Sequence, residues 1–238
     1  MTFHIGTSGW SYRAWQGEFY PKGMPSIQWL SFYAQHFETV ELNSSFYHTP
    51  SPAQLKKWEN TVPERFIFSV KAARDITHRK KLKDSAQAVP ELMEVLQVQT
   101  KGGPVIFQLP PNFDKDLERL EDFLRALPDG RHYAMEFRDP DWHDESVYEL
   151  LRQYGVAFCC FEKGNLHSPR LATTDFIYVR LHGREAGYEG NYSDAVLRDW
   201  YGWLQDQNKT AYIYFDNTAE KIYAVENALT LRAMAAAK

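Results

Sequence analysis

A glutamate and an arginine stand two residues apart near the end of a short hydrophobic segment, residues 133–142. Side chains on a β-strand alternate between its two faces, so a strand here would point Glu136 and Arg138 in the same direction. Pro140 then ends the strand, because proline cannot donate a hydrogen bond to a neighbouring strand. A carboxylate beside a guanidinium group could serve acid/base catalysis or hold an anion. The alternative is a structural ion pair between the two side chains.

Polar side chains also stand at the ends of other predicted strands, and the two-residue period of each strand aligns them. The residues concerned are Glu41 and Asn43, Ser69 and Lys71, Gln108, Arg180 and His182, and finally Asp216 and Asn217, which would lie on opposite faces. Around one opening they would gather carboxylates, cations, amides and a histidine, and burial there would shift their pKa values. The simpler reading of His182 is a hydrogen-bonded structural histidine.

The segments that would position these residues alternate regularly between strand and helix. Strands are predicted at residues 3–6, 39–42, 66–70, 104–109, 133–138, 157–161, 176–181 and 210–215, and helices at 26–37, 52–60, 84–99, 115–126, 144–154, 193–207 and 218–236. This pattern predicts an α/β protein, a closed parallel (β/α)8 TIM-type barrel whose sixth helix is short or missing. The alternative is an open doubly wound sheet, but no GxGxxG motif follows the first strand. We interpret residues 1–238 as a single domain.

The long predicted loops connect strands to the helices that follow them, at residues 7–25, 162–174 and 181–192. In a barrel these loops lie at the C-terminal ends of the strands, where active sites are built. The first loop is rich in aromatic residues, so Trp10 could belong to a ligand wall or could pack the loop onto the barrel.

The ends of the seventh and eighth strands are the predicted anion site. Arg180 and His182 would meet a glycine-rich loop there, and Asn217 or Thr218 would cap the last helix, whose N-terminal amides favour an anion. The loop contains Gly183, Arg184, Gly187 and Gly190. We therefore expect a phosphate or carboxylate group between these strand ends. The alternative is that the glycines only shape the loop while Arg180 pairs internally with Glu136.

Composition restricts the classes of partner. The 238 residues carry a net charge of −4, which argues against general attraction to nucleic acid or to an anionic membrane. No apolar run reaches the roughly 18 residues of a membrane span, and the first residues lack the pattern of a signal peptide. Cys159 and Cys160 are adjacent and form neither a CxxC motif nor a disulfide framework. We expect a cytoplasmic protein without membrane contact, and its oligomeric state stays open.

Several motifs, in order along the chain, resemble those of the DUF72 family, also called YecE-like proteins. They are GTSGW at 6–10, FYP at 19–21, VELNSSFY at 40–47, FQLPP at 107–111, EFRDPDW at 136–142 and YVRLHG at 178–183. The resemblance implies a TIM-type barrel but no particular reaction, because the activity of the family is not established. It marks Glu41, Asn43, Tyr47, Lys71, Gln108, Glu136, Arg138, Arg180 and His182 as motif positions.

Two positions depart from the family pattern. Two asparagines typically follow the last strand in the family, whereas this chain has Asp216 and Asn217. The family often has an aspartate after the sixth strand, where this chain has Cys160, Phe161 and Glu162. These two parts of the predicted site are therefore the least defined by the resemblance.

The favoured hypothesis is a metal-independent enzyme without a cofactor, hydrolase- or lyase-like, that acts on a small anionic substrate which could carry phosphate. Glu41 or Glu136 would be the general acid/base, with Lys71 and His182 as further catalytic candidates. Arg138, Arg180 and Lys71 would hold the anion, or Lys71 would form a Schiff base. Asn43, Tyr47, Gln108, Arg184, Asn217 and Trp10 complete the predicted substrate-binding site.

Two alternatives belong to other classes. The first is a metal-dependent phosphoesterase or isomerase with Glu41, Glu136, His182 and Asp216 as ligands; against it, nearby cations would repel a metal and no HxH or HExxH motif is present. The second is a non-catalytic module that binds a nucleotide or the end of a nucleic acid through Arg180, Arg184 and the aromatic loop. Nucleic acid is the less favoured partner because of the net charge.

Overall fold

The computed structural model describes residues 1–46, 48–185, 188–218 and 221–237. Eight parallel strands form a nearly closed barrel: β1 (Phe3–Thr7), β2 (Thr39–Leu42), β3 (Ile67–Lys71), β4 (Gly102–Leu109), β5 (Tyr133–Phe137), β6 (Val156–Lys163), β8 (Phe176–Leu181) and β9 (Thr210–Phe215). The two-residue strand β7 (Leu166–His167) pairs antiparallel with the end of β6. The predicted TIM-type barrel is confirmed.

Helices alternate with the strands around the outside of the barrel. They are α1 (Trp29–His36), α2 (Pro52–Glu59), α3 (Ser85–Leu96), α4 (Leu117–Arg125), α5 (Glu145–Gln153), α6 (Asp194–Gln207) and α7 (Tyr223–Ala236). Between β6 and β8, all of whose residues are described, the chain forms the β7 hairpin and a loop instead of a helix, as the sequence predicted. None of the described helices is long and apolar enough to cross a membrane.

The barrel is closed where β1 meets β2. The strand order runs β1-β9-β8-β6-β5-β4-β3-β2, and a parallel bridge between Ser8 and Glu41 joins the two ends of this series. The hydroxyl of Tyr33, on α1, accepts a hydrogen bond from the amide of Thr7 at 3.0 Å and donates to the carbonyl of Thr39 at 3.1 Å. The closure therefore depends on one helix side chain as well as on backbone pairing.

A glycine makes the close approach at this junction possible. A Cβ atom on Gly6 would lie 2.3 Å from the carbonyl oxygen of Thr39, which is backbone and cannot rotate away. We expect Gly6→Ala to lower the free energy of unfolding by about 1–3 kcal/mol, the usual cost of forcing extra atoms into a packed core. Gly202 is the matched control, because it lies in α6 with no atom within 4 Å of its added Cβ. Gly202→Ala should raise the stability by about 0.5–1 kcal/mol.

Urea unfolding of both variants checks this pair of predictions. A Gly6→Ala protein as stable as the wild type would show that the strands at the junction can separate without cost.

The inside of the barrel changes from apolar to polar towards the C-terminal ends of the strands. An apolar and aromatic cluster fills the lower part: Ile106, Ala134, Ala157, Cys159, Phe176, Tyr178, Tyr212 and Tyr214. Above it, the hydroxyl of Tyr214 forms hydrogen bonds of 2.7 Å with those of Thr39 and Ser69. Charged residues occupy the next level, so the polar end of the barrel is the end predicted to carry the site.

Candidate active site

The predicted site residues lie in two layers at the C-terminal end of the barrel. The lower layer is buried and contains Glu41, Glu136, Arg180, His182 and Asp216, and Asp216 also borders the cavity above it. The upper layer faces a cavity and contains Lys71, Gln108 and Arg138. Register brings neighbours together, since Gln108 lies directly beside Glu136 across β4 and β5. The two-residue alternation along the strands thus correctly predicted which side chains point into the barrel. It did not predict which of them are buried beneath the cavity and which reach it.

Arg180 is the centre of the lower layer. Its guanidinium group donates to Glu41 Oε1 from Nη2 at 2.8 Å and from Nε at 3.2 Å, and to Glu136 Oε2 from Nη1 at 2.8 Å. Nη2 also lies 3.3 Å from Asp216 Oδ2. Burial disfavours the guanidinium charge, but the three carboxylates outweigh burial and raise the pKa of Arg180 well above its ordinary value. This fully enclosed cation is stable only because it is paired on every side.

Glu41 is held by neutral donors as well as by Arg180. The hydroxyl of Tyr178 donates to Glu41 Oε2 at 2.7 Å, and the hydroxyl of Ser8 donates to Oε1. Both carboxylate oxygens are therefore hydrogen-bonded, and the side chain has no exposed surface. In this arrangement Glu41 supports Arg180; its predicted role as a general acid/base stays a prediction.

Glu136 connects Arg180 to Arg138. Its Oε1 accepts from Arg138 Nε, and its Oε2 accepts from Arg180. Burial would raise the pKa of Glu136, but the positive charges of Arg138 and Arg180 outweigh burial and hold that pKa well below its ordinary value. An ionised carboxylate cannot act as a general acid, and both oxygens of Glu136 already accept from guanidinium groups, so the geometry favours a positioning role over that of a general base. The catalytic role predicted for Glu136 stays untested.

His182 lies between Arg138 and Asp216. Its Nε2 is 2.9 Å from Arg138 Nη2, and its Nδ1 is 2.9 Å from Asp216 Oδ2. A guanidinium group can only donate, so Nε2 accepts and the imidazole proton is on Nδ1, which donates to Asp216. Burial, then the charges of Arg138 and Arg180, lower the pKa of His182. The neutral ring therefore orients Arg138 and does not reach the cavity.

An open cavity of about 1690 Å³ lies above these residues, and the strand-to-helix loops form its walls. Six predicted site residues line it, three of them at the strand ends and three on the surrounding loops: Lys71, Gln108, Arg138, Asn43, Arg184 and Trp10. Trp10 packs edge-on against Trp58, with ring centres 5.2 Å apart, so it serves both the wall and the loop packing that the sequence suggested. Tyr47 lies outside the described residues.

The described residues of the cavity carry more positive than negative charge. The cations are Lys57, Lys71, Lys163, Arg138 and Arg184, and the carboxylates are Glu185 and Asp216. Asp216 is already paired with Arg180 and His182, so its negative charge is balanced within the protein. The cavity is thus locally positive in a chain whose net charge is −4.

Lys71 ends β3 at the floor of the cavity. Its Nζ lies 4.2 Å from the ring centre of Phe46, and among the described residues it has neither a hydrogen bond nor an ion pair. Burial, then the charge of Arg180, lower the pKa of Lys71 to about 8, although Asp216, Glu136 and Glu41 act in the opposite direction. Lys71 therefore carries a substantial fraction of free amine near neutral pH.

The anion site predicted between the seventh and eighth barrel strands is not formed as expected. Arg180 and His182 have no exposed surface, and the amide of Asn217 donates to Gly190 and Asn227 at 2.9 and 3.0 Å instead of facing the cavity. The expectation that Asn217 or Thr218 caps the last helix is wrong, because α7 begins at Tyr223 with Ile222 as its N-cap residue.

The glycines of this loop have a structural role. A Cβ atom on Gly183, whose φ is +92°, would lie 1.9 Å from the carbonyl oxygen of Glu189. Gly183 therefore allows the loop to fold back on itself, and Gly187 lies outside the described residues. The sequence also allowed an alternative to the anion site, in which the glycines only shape the loop and Arg180 pairs internally with Glu136. The role of Gly183 and the Arg180–Glu136 ion pair both agree with that alternative.

Sequence reasoning missed His78. It lies on a short π-helix (Asp75–Arg79) after β3, faces the cavity, and packs edge-on against Phe46 with ring centres 4.9 Å apart. Burial, then the charges of Lys71 and Arg138, lower its pKa to about 4, so the ring is neutral at pH 7. A π-helix often marks a functional site, but no periodic pattern in residues 72–83 predicts one.

The candidate metal ligands are occupied by protein partners. Arg180 binds Glu41, Glu136 and Asp216, and His182 binds Asp216 and Arg138. In the part of the chain that the structure describes, no three His, Cys, Asp or Glu side chains are placed to hold a metal ion. These residues do not fit a metal centre unless the guanidinium groups move away.

Comparison with known proteins relates this site to one family. Residues 4–238 match the family described as "Protein of unknown function DUF72". A curated relative, the UPF0759 protein YunF of Bacillus subtilis, is 28% identical over 91% of this chain and 89% of its own length. The UPF0759 protein YecE of Escherichia coli K12 is 28% identical over 70% of this chain, and the match spans 61% of YecE.

A solved structure agrees over nearly the whole chain. A DUF72 family protein of Thermotoga maritima has 30% sequence identity and a TM-score of 0.87, with 99% of each chain covered. The barrel described above is therefore a fold shared with that protein.

Proposed function

Because the chain belongs to the DUF72 family, whose function is unknown, we propose from the chemistry of the site that it is a metal-independent enzyme, hydrolase- or lyase-like, acting on a small anionic substrate. The substrate could carry phosphate or carboxylate. The observation that supports this most directly is the pair of cations on the cavity floor, Arg138 and Lys71, each more than nine-tenths buried and each reaching the cavity.

Arg138 is suited to hold the anion. Its Nε donates to Glu136, its Nη2 donates to His182, and the guanidinium group lies 4.9 Å from the ring centre of Phe161. Among the described residues Nη1 has no hydrogen-bond partner, so it is free to donate to a ligand. A guanidinium group fixed in this way binds an oxyanion with little loss of side-chain freedom.

Lys71 is suited to acid/base chemistry beside that anion. A pKa of about 8 lies close to neutral pH, where a side chain can both accept and release a proton. Glu41 and Glu136, the acid/base residues favoured from the sequence, are engaged by guanidinium groups beneath it. We therefore assign proton transfer to Lys71. The two glutamates instead hold Arg138 and Arg180 in place.

A non-catalytic module for a nucleotide or the end of a nucleic acid is the second candidate. Trp10 and Trp58 lie on the cavity wall near Lys57, and aromatic rings with nearby cations suit stacked bases and phosphates. The volume of the cavity, about 1690 Å³, would admit such a ligand. Turnover of a substrate panel separates this candidate from the enzyme.

Anion titration of wild type and Arg138→Gln tests the proposed function. We expect saturable binding of phosphate or of sugar phosphates to the wild type, because Arg138 offers a free donor in a locally positive cavity. Loss of one charged hydrogen bond costs about 1.5–3 kcal/mol, so Arg138→Gln should bind roughly 10- to 100-fold more weakly. Calorimetry measures the affinities, and hydrolysis or cleavage of a panel of phosphate and carboxylate compounds measures turnover.

Arg198→Gln is the matched control, because Arg198 is exposed on α6 and forms a surface ion pair with Asp194. It should bind the anions like the wild type. The proposal fails if the wild type shows no saturable binding up to millimolar anion, or if Arg138→Gln binds equally well while remaining folded.

A further inference from the structure

We propose that Lys71 is a covalent catalyst whose amine forms a Schiff base with the aldehyde or ketone carbonyl of an anionic substrate. This inference rests on the proposed function and narrows its substrate class to carbonyl compounds that also carry a carboxylate or a phosphate, such as 2-oxo acids and phosphorylated ketones. It assigns Lys71 the role of nucleophile and leaves Arg138 as the anion-binding residue.

The surroundings of Lys71 differ from those of the other lysines in the same cavity. Only 7% of Lys71 is exposed, and its Nζ lies against the ring of Phe46 instead of a carboxylate. Lys57 is exposed to solvent, and Lys163 Nζ donates to the hydroxyl of Tyr188 at 3.3 Å. An enclosed lysine without an ion pair, close to another cation, is the environment that favours a nucleophilic amine.

The nearby acids do not supply the missing counter-ion directly. Glu41, Glu136 and Asp216 all bind Arg180, and none lies within 4 Å of Lys71 Nζ. Their longer-range attraction is included in the pKa of about 8, which burial and Arg180 lower from the ordinary value of lysine. At pH 7.5 this leaves a free-amine fraction roughly 200-fold larger than that of an unperturbed lysine.

The bond changes balance without an oxidant or a metal. The Nζ lone pair attacks the carbonyl carbon, forming the N–C bond while the C=O π pair moves to oxygen, which takes up a proton. The carbinolamine then loses its hydroxyl group as water after a second protonation, and the nitrogen lone pair forms the C=N bond of the iminium ion. Nζ releases one proton on the way, so the net reaction consumes one amine, one carbonyl and one proton and yields one iminium and one water.

The iminium ion makes a lyase-type step possible beside the anion site. A positively charged C=N group withdraws electrons from the neighbouring carbon, so a C–C or C–H bond there can break and leave its pair as an enamine. Protonation of the enamine and addition of water then return the free lysine. Arg138 would hold the carboxylate or phosphate of the substrate while this lyase-type step takes place.

Reductive trapping on the full-length protein tests the inference. The probes are pyruvate and dihydroxyacetone phosphate with sodium cyanoborohydride at pH 7.5, followed by intact mass and peptide mapping. We expect one saturable adduct per chain at Lys71, at least ten-fold above labelling of Lys57 or Lys163. Lys71→Arg and Lys71→Met should lose this adduct, whereas Lys57→Met, the matched control in the same cavity, should keep it.

The outcomes separate the Schiff base from the anion site. Saturable binding of the probes without any adduct at Lys71 overturns the Schiff base and leaves the proposed function standing. An adduct at Lys71 that inorganic phosphate and Arg138→Gln do not slow supports the nucleophile but contradicts the anion site. Equal labelling of Lys57, Lys163 and Lys71 shows ordinary surface chemistry and overturns the inference.

Discussion

Arg180→Met should lower the free energy of unfolding at pH 7 by about 3–5 kcal/mol, the cost of removing one partner from a buried charge cluster. Arg180 is fully enclosed and donates to Glu41, Glu136 and Asp216. Methionine has a similar length but no charge, so it would leave carboxylates facing one another inside the barrel. Urea unfolding at pH 7 measures the loss.

The pH dependence of this loss gives a second check. In the wild type the folded-state pKa of Glu136 is depressed, so its contribution to stability is present above the unfolded pKa of a glutamate, about 4.3, and is lost as the pH falls through the folded value. Without Arg180, the pKa of Glu136 rises, because one of the two guanidinium charges that hold it down is gone while burial still acts to raise it. The stability that ionised Glu136 contributes to the wild type is then smaller in the variant, and the difference disappears as the pH falls and the carboxylate is protonated. The gap between wild type and variant should therefore be smaller at pH 5 than at pH 7.

Arg125→Met is the matched control, because Arg125 pairs with Glu121 and Asp122 on the exposed face of α4. It should leave the unfolding curve nearly unchanged. If Arg180→Met unfolds at the same urea concentration as the control, the buried network does not stabilise the barrel in the way its geometry indicates.

Glu136→Gln should also destabilise the protein by about 3–5 kcal/mol, since it leaves two guanidinium groups with one carboxylate fewer. The amide keeps the shape of the side chain, so packing changes little and charge is the main variable. Arg138 would lose its fixed orientation at the same time, and we expect anion affinity to fall together with the melting temperature. Thermal unfolding and anion calorimetry on the same preparation measure both effects.

A general acid/base role for Glu136 makes the opposite prediction. Folding would then be nearly intact, and any turnover would fall by roughly two to four powers of ten. Glu145→Gln serves as the control, because Glu145 is exposed on α5 and forms a surface ion pair with Arg152. An unchanged melting temperature with abolished turnover would return Glu136 to the catalytic residues and remove the positioning role argued above.

Substitutions in the two layers of the site should have different first effects. The lower layer, from Glu41 to Asp216, has its charges satisfied within the protein, so changes there should appear first as lost stability. The upper layer, Lys71 and Arg138, faces the cavity, so changes there should appear first as lost binding or chemistry. A residue that behaves against its layer would identify where this assignment fails.

The order and number of barrel strands could be predicted from the sequence because both depend on local signals. Short apolar runs, prolines and capping residues act over a few neighbours, and Ser51 does cap α2 through the amide of Gln54. The period of two residues also predicted that Glu136 and Arg138 share a face. The motifs for the family were equally local.

The depth and the partners of each charge were decided only by the tertiary structure. Glu41 and Arg180 are 139 residues apart in the chain, and only barrel closure brings their charges together. The strand tilt and register place Arg180 inside and Arg138 at the cavity, although both are arginines at strand ends. His78 and the start of α7 depend on irregular loops, whose backbone follows from packing against the finished barrel rather than from any repeating pattern in the sequence.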